Sequence, residues 1–255
     1  MLKLAVIGDP VEHSASPALH RAFLAARGID GTYEAIRVGA GDAAHAIDDL
    51  RARGYAGLNV TTPLKEEAFA RADERDAMAI ATGAINTLVL GQRIVGYNTD
   101  GIGTIGALAD AGLLDLAGRR VLVLGAGPTA RAAVAALVAS AAKTYVWNRT
   151  AAKAAGIAHA LAGHLWTAEE PPFDAVFATL APDAELDDPA LRRAIRDASI
   201  VIDANYAERA TFGKRIGRSD VRDGRAMLAA SARASFELFV AATTSIATSD
   251  HHRTM

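Results

Sequence analysis

The chain has 255 residues, of which 51% are apolar, a net charge of −2 and no cysteine. That size allows two modest domains with cores of their own. The near-neutral balance, without a basic stripe, argues against a nucleic-acid binder, and the missing thiols exclude disulfides, thiolate nucleophiles and cysteine metal sites.

Apolar runs alternate with helical patterns from end to end, which predicts a layered α/β architecture. LAVIG (4–8) reads as a strand. PALHRAFLAARG follows as a helix, with Ser16 as N-cap, Pro17 in the first position and Gly28 as the stop. TYEAIRV (32–38) is a second strand and AAHAIDDLRARG a helix ending at Gly54. The strand GLNV, a helix started by Pro63, and a hairpin of AINTLVL and RIVGYN across the turn Gly91–Gln92 complete the first half. Near Asn98–Gly101 the pattern changes without a flexible linker. DGIGTIGALADAG is helical, RRVLVLGAG opens a strand–turn–helix unit, and KTYVWN, FDAVFAT and ASIVIDAN are further strands. A last helical run, about 225–247, has no strand after it and is expected to pack back on the first half.

No run reaches the ~20 apolar residues that cross a bilayer. The longest, 132–142, lies between Arg131 and Lys143 and reads as a buried helix. Met1 leads into Lys3 and a strand rather than a signal peptide, so a cytoplasmic location is expected. The pairs Arg119–Arg120 and Arg192–Arg193 read as solvated faces. The seven histidines are scattered, so no metal is expected. His159 and His164 read as exposed helix-end residues, and His251 and His252 lie in a polar tail expected to fray.

VLVLGAGPTARAA carries Gly125, Gly127 and Ala130 as GxGxxA, directly after a strand and opening a helix. The first glycine permits a tight turn, the second lets a pyrophosphate approach the backbone, and the small third residue lets helix and strand pack closely. The helix N-terminus adds N–H donors. Pro128, lacking an N–H, suits the first helical position. Ala126, Gly127, Pro128 and Thr129 therefore form the candidate phosphate loop. The next strand ends in WNRT without a carboxylate; Asn148, Arg149, Thr150 and nearby Lys153 offer donors and positive charge. A 2′-phosphate selects arginine where a 2′-hydroxyl selects an acid, so NADP is favoured over NAD.

Three polar clusters fall at strand ends in the first hundred residues: HSASP (13–17), NVTTPLK (59–65) and GAINT with GYNTD (83–87, 96–100). Together they supply hydroxyls, amides, one ammonium and one carboxylate, an inventory suited to a small polyhydroxylated or carboxylated ligand. Singly, each could be turn and capping chemistry, and Lys65 alone is a helix-start surface residue.

In order along the chain, GDPVEHSASP, GLNVTTPLKE, GAINT, GYNTDGIG, GAGPTARA and NRT resemble the shikimate dehydrogenase family over nearly its full length. The resemblance implies an N-terminal α/β substrate domain, residues 1–99, completed by C-terminal helices within 225–255. It implies a Rossmann-like NADP-binding domain, residues 100–224. It implies reversible reduction of 3-dehydroshikimate to shikimate in aromatic amino acid biosynthesis. Ser14 and Ser16 would bind the substrate carboxylate; Thr61, Asn86 and Asp100 would contact ring hydroxyls, with Asn59 and Tyr206 in the same pocket. Lys65, paired with Asp100, would be catalytic. The partners expected are small molecules, with neither nucleic acid nor membrane, and the chain would be a monomer or homodimer.

Departures from the family pattern are Pro128 in place of a glycine, FATLAPDAEL with only Thr179 and Pro182 loosely matching a nicotinamide loop, and DANYAERAT, which keeps Tyr206 and Thr211 but lacks the usual proline. Four residues after Met227, Ser231 stands where a substrate-contacting glutamine is expected. A serine there reaches a ligand only through water or a shifted helix, unless Ser235 or Arg233 compensates. The alternatives are a sister dehydrogenase acting on quinate, an amino-shikimate or another cyclohexane carboxylate, and a non-catalytic nucleotide sensor. Ser16 and Arg149 oppose the quinate form, which the family associates with threonine at the former position and acidic nucleotide selection at the latter.

Overall fold

The structure is a computed structural model that describes the backbone of residues 1–251 and the side chains of residues 1–242. Two compact units divide the chain. The first comprises Met1–Thr99 with the stretch from Ser231 onward, and the second Asp100–Ala230.

In the first unit the chain runs β1 (Leu2–Gly8), α1 (Ser16–Ala26), β2 (Gly31–Arg37), α2 (Ala43–Ala52), β3 (Gly57–Val60), α3 (Lys65–Arg71), β4 (Glu74–Arg75), α4 (Ala77–Thr82), β5 (Thr87–Leu90) and β6 (Ile94–Tyr97). The six-stranded sheet has the order β2-β1-β3-β5-β6-β4. β2 and β3 flank β1 in parallel, whereas β5 pairs antiparallel with both β3 and β6. The reversal is forced by the hairpin, whose connection cannot span a parallel crossover. Two crossovers from β1 therefore put the β1–α1 and β3–α3 turns at the same edge of the sheet. Ile7, Ile47, Leu50, Leu58, Leu64 and Ile85 fill the core on one face, and Leu4, Tyr33, Phe236 and Phe239 that on the other. A Cβ on Gly57 would lie 2.3 Å from the Phe239 ring, so only glycine lets the C-terminal helix sit this close to β3.

The second unit runs α5 (Asp100–Asp110), β7 (Arg120–Leu124), α6 (Pro128–Ala139), β8 (Lys143–Trp147), α7 (Ala151–Ala160), β9 (His164–Leu165), β10 (Ala175–Ala178), α8 (Pro189–Asp197), β11 (Ile200–Asp203), α9 (Phe212–Ile216) and the start of α10 (Arg225–His251). Its five strands are parallel, in the order β11-β10-β7-β8-β9. Both faces are covered, so β7 and β10 read as continuous apolar runs rather than alternating ones. The strand order reverses between β7 and β10, and ligands of such sheets bind beyond the carboxyl ends of the strands at that point.

Several local expectations need correction. Ala15, not Ser16, holds the cap position of α1, and Ser16 is buried with its hydroxyl turned inward. The helix expected from Pro63 starts at Lys65, because the Leu64 N–H donates to the Thr61 carbonyl at 2.9 Å and closes a turn around the proline. The hairpin connection has three residues, since Leu90 pairs with Ile94. His164 lies on β9, a two-residue strand with no periodicity to reveal it. Arg120 is not on a solvated face: its guanidinium stacks 4.7 Å from the Tyr145 ring centre and pairs with Glu170 at 2.7 Å. His251 and His252 lie outside the residues whose side chains are described. Among the described residues no helix is long and apolar enough to cross a membrane.

Candidate active site

Within the first unit the three polar clusters meet in one network. At the start of α1, the Ser14 hydroxyl accepts from the Ser16 N–H at 3.3 Å, while the Ser16 hydroxyl is hydrogen-bonded to the Tyr33 phenol. Tyr33 donates in turn to Asn59 Oδ1 at 2.7 Å. The Asn59 amide nitrogen faces Ser235 Oγ at 3.0 Å, Thr87 Oγ1 at 3.2 Å and the Asn86 carbonyl at 3.3 Å. Asn86 is buried on the approach to β5. Its Oδ1 accepts from the Thr99 N–H and the Thr87 hydroxyl, both at 2.9 Å, and its Nδ2 donates to Thr99 Oγ1 at 3.1 Å. Ser231 Oγ closes the chain of contacts, 2.8 Å from Thr99 Oγ1 and 3.4 Å from Asn86 Nδ2.

Inside a low-dielectric core these polar groups persist only because they satisfy one another. Ser235, fully buried, back-bonds to the Ser231 carbonyl at 3.0 Å and sits 2.8 Å from Thr87 Oγ1. Ser231 is therefore not an arm reaching toward a ligand. It holds Asn86 and Thr99, and Ser235 rather than Arg233 shares that task. Arg233 lies over the Phe23 ring at 5.2 Å.

Thr61 and Lys65 flank the turn after β3. The Thr61 N–H is anchored on the Ile7 carbonyl at 2.9 Å, and the Lys65 carbonyl accepts from the Ile85 N–H at 2.9 Å. Lys65 is half-buried as the first residue of α3. Its backbone is thus tied to the segment leading into β5, which limits where the ammonium can travel.

In the second unit the predicted strand–turn–helix stands at the β7–α6 connection. Gly125 has φ +123°, and a Cβ there would lie 2.3 Å from Thr179 Oγ1, so this position demands glycine on both counts. Gly127 is the N-cap of α6 and Pro128 its first residue. Buried Ala130 packs in the core between helix and sheet. A cavity of 570 Å³ opens over the turn, lined by Gly125, Ala126, Gly127, Trp147, Asn148 and Arg149 on one side and by the Thr179–Leu180–Ala181 loop with Asp183, Ala184 and Glu185 on the other. Of the residues picked from the sequence, Pro128, Thr129, Ala130, Thr150 and Lys153 fall outside this lining. Thr129 instead donates to Asp100 Oδ2 at 3.3 Å, which brings a buried carboxylate beside the start of α6.

Tyr206, half-buried before a short 3₁₀ turn, also lies outside the cavity lining. Two loop contacts shape the cavity's far wall: Asn205 Nδ2 donates to the Leu180 carbonyl at 2.9 Å and Thr211 Oγ1 to that of Pro182 at 2.7 Å. Trp147 and the carboxylates of the Leu180–Glu185 loop went unassigned in the sequence; the position of that loop, directly after an apolar strand, was the available signal. Among the described residues no group of His, Asp and Glu is arranged to hold a metal ion.

A polar network gathers at the strand ends of one α/β unit, and a Gly-rich strand–turn–helix stands at the switch point of the other. Residues 6–88 match the shikimate dehydrogenase substrate binding domain, and residues 107–181 match shikimate / quinate 5-dehydrogenase. A shikimate dehydrogenase (NADP(+)) of Methanococcoides burtonii is 43% identical over 154 residues, 60% of this chain and 56% of the relative. The match thus spans little more than half the length of that curated relative. Among solved structures, shikimate 5-dehydrogenase from Thermus thermophilus in complex with NADP(H) and shikimate is similar with a TM-score of 0.81 and 32% identity, covering 94% of this chain and 93% of that one. An Ael1 enzyme from Pseudomonas putida is similar with a TM-score of 0.84 and 29% identity, covering 94% and 93%. The chain belongs to the shikimate dehydrogenase family.

Proposed function

We propose that the protein is an NADP-dependent shikimate dehydrogenase, in the cytoplasm, interconverting 3-dehydroshikimate and shikimate. The observation that carries the substrate assignment is the convergence of Ser16, Asn59 and Asn86 in one network beside Thr61 and Lys65. A carboxylated, hydroxylated ring needs many aligned hydrogen bonds, and a network already satisfied internally holds its members in place for them. Residues 1–99 with the C-terminal helix form the substrate domain; the second unit, including residues 100–224, forms the nucleotide domain.

NADPH supplies a hydride to the substrate ketone when bound. The forming alkoxide then takes one proton, so a ketone, NADPH and a proton give an alcohol and NADP⁺. Lys65 provides the acid–base function and stabilises the developing negative charge. Asp100, braced by Thr129, accepts a hydrogen bond from a ring hydroxyl, and Thr61 and Asn86 also contact ring hydroxyls. Ser14 and Ser16 donate to the substrate carboxylate. Arg149, exposed at the rim of a strand end that lacks a carboxylate, holds the 2′-phosphate through its planar fork of donors. The cavity over the β7–α6 turn suits the dinucleotide because an added Cβ at Gly127 would meet nothing within 4 Å, which leaves the backbone open to a pyrophosphate.

The test is NADP⁺ reduction with shikimate and with quinate, against NAD⁺ as alternate cofactor, for wild type and Lys65→Ala. Turnover is expected with shikimate and NADP⁺, and a fall in kcat of roughly 10²–10⁴-fold in the variant. Comparable turnover on quinate with NAD⁺ would overturn the assignment. The second reading, another cyclohexane carboxylate, is favoured by Ser231, and broader activity in the quinate arm would establish it.

A further inference from the structure

We propose that Gly8, at the end of β1, is a positioning residue for Thr61: its missing side chain sets the rotamer that presents the Thr61 hydroxyl to a ring hydroxyl of the substrate. This deepens the dehydrogenase assignment above and rests on it.

Two loops leave the sheet side by side here. β1 leads to Ser14 and Ser16, and its neighbour β3 leads to Thr61 and Lys65. The paired strands end at Ile7 and Val60, but their ladder runs on. The Thr61 N–H donates to the Ile7 carbonyl at 2.9 Å, and the Asp9 N–H to the Thr62 carbonyl at 3.0 Å. Gly8 lies between these two bonds, and its own carbonyl accepts from the Val38 N–H at 3.0 Å on the other side. It is thus held from both sides and cannot retreat from Thr61.

The approach is close enough to decide which residue can stand there. A Cβ on Gly8 would lie 2.3 Å from Thr61 Cγ2 and 2.9 Å from the Thr62 carbonyl oxygen. Gly8 is buried and is not in the left-handed region, so what forbids a side chain is the space and not the backbone angle. The Thr61 methyl fills that space. A β-branched side chain has few staggered positions open to it. With the methyl seated over Gly8, the hydroxyl is fixed about 120° away around the Cα–Cβ bond.

Among the described residues the Thr61 hydroxyl has no hydrogen-bond partner, whereas Asn59, Asn86, Thr87 and Thr99 engage one another. A half-buried hydroxyl left with both its donor and its acceptor capacity is what a ligand hydroxyl can use. An alanine at position 8 would strike the methyl and turn Thr61 to another staggered position, carrying the hydroxyl round by about 120°. A serine at position 61 keeps the hydroxyl and lacks the methyl, so only the 2.9 Å contact to the Thr62 carbonyl would remain.

Gly8→Ala is therefore compared in wild type and in a Thr61→Ser background by steady-state kinetics and thermal unfolding. In wild type it should raise the KM for shikimate about 10-fold, as loss of one hydrogen bond implies, with the KM for NADP⁺ within about twofold. In the serine background the same change should raise the shikimate KM less than about threefold. An equal rise in both backgrounds, or an unchanged KM with a lowered melting temperature, would overturn the proposal and leave Gly8 a matter of packing alone. If Gly8→Ala by itself does not fold, the double variant decides: recovered folding with shikimate turnover supports the proposal, and a double variant that is also unfolded overturns it. A wild type that binds shikimate in calorimetry without turning it over counts against the assignment of function; the two backgrounds are then compared by shikimate Kd, with the same limits. Wild type that does not bind shikimate overturns both.

Discussion

His20 makes the stability of the first unit depend on pH in a direction the structure fixes. Its ring is fully buried, stacked between aromatic side chains, and neither ring nitrogen has a hydrogen-bond partner. Charging it in place would bury an unsolvated cation, so burial lowers its pKa from 6.5 to about 4. In the unfolded chain the same histidine takes up a proton near 6.5. Between these values the unfolded state binds more protons, and stability rises with pH. The contribution is complete above pH 6.5 and is lost as the pH falls toward 4. Relative to pH 8, the loss is about 2 kcal/mol at pH 5 and about 3 kcal/mol at pH 4.

Urea unfolding of wild type and His20→Leu at pH 8 and pH 5 measures this, because carboxylates titrate alike in both proteins and cancel. Wild type should lose about 2 kcal/mol more than the variant between the two pH values. Trp147 and Trp166 both lie in the second unit, so tryptophan fluorescence follows that unit while far-ultraviolet circular dichroism follows the whole chain. Equal losses in both proteins would mean that His20 finds a partner or water in solution, and that the stacked neutral ring is not its state.

Two further substitutions test the second unit. Arg149→Ala should weaken NADP(H) at least 10-fold while leaving NAD(H) within about twofold, as expected for a lost charge-assisted pair to the 2′-phosphate; equal loss for both cofactors would mean Arg149 does not read that phosphate. Gly125→Ala should cost roughly 2–3 kcal/mol of stability in thermal unfolding, from the positive φ and the Thr179 clash. Gly127→Ala, with open space around its Cβ, should leave stability nearly unchanged and weaken NADPH; if the two variants behave alike, the turn is not shaped as described.

Elements with strong periodicity were legible: the β7–α6–β8 unit and the β5–β6 hairpin follow from apolar spacing and glycine placement alone. β4 and β9, each two residues long, carry no period and are made by their neighbours' ladders. Ser16 shows where local rules fail. Serine before proline is a sound N-cap signal, but here the hydroxyl gains a buried partner in Tyr33, a contact set by the β1–α1–β2 crossover and invisible to spacing. Tyr33 itself looked like an ordinary strand aromatic. Arg120 was misread for the same reason, since only the packed sheet brings Tyr145, Phe173 and Glu170 around it.

Ser231 shows how a departure from a family pattern changes meaning once its surroundings are known. A glutamine there would carry a longer amide side chain; the serine ends two heavy atoms earlier and its hydroxyl is engaged at 2.8 Å with Thr99. One O–H proton can serve only one acceptor at a time, so the group cannot hold the network and donate fully to a ligand together. Asn86 has its Oδ1 engaged by the Thr99 N–H and the Thr87 hydroxyl and an amide proton on Thr99 at 3.1 Å, with a longer contact to Ser231 at 3.4 Å. A ring hydroxyl binding Asn86 would displace that contact first, freeing the Ser231 hydroxyl for Thr99 alone. The Ser231–Thr99 contact at 2.8 Å survives that exchange, so losing the glutamine need not disable the site. Ser231→Gln is therefore expected to change the KM for shikimate more than kcat, which steady-state kinetics of the variant measures; a kcat change larger than the KM change would refute this.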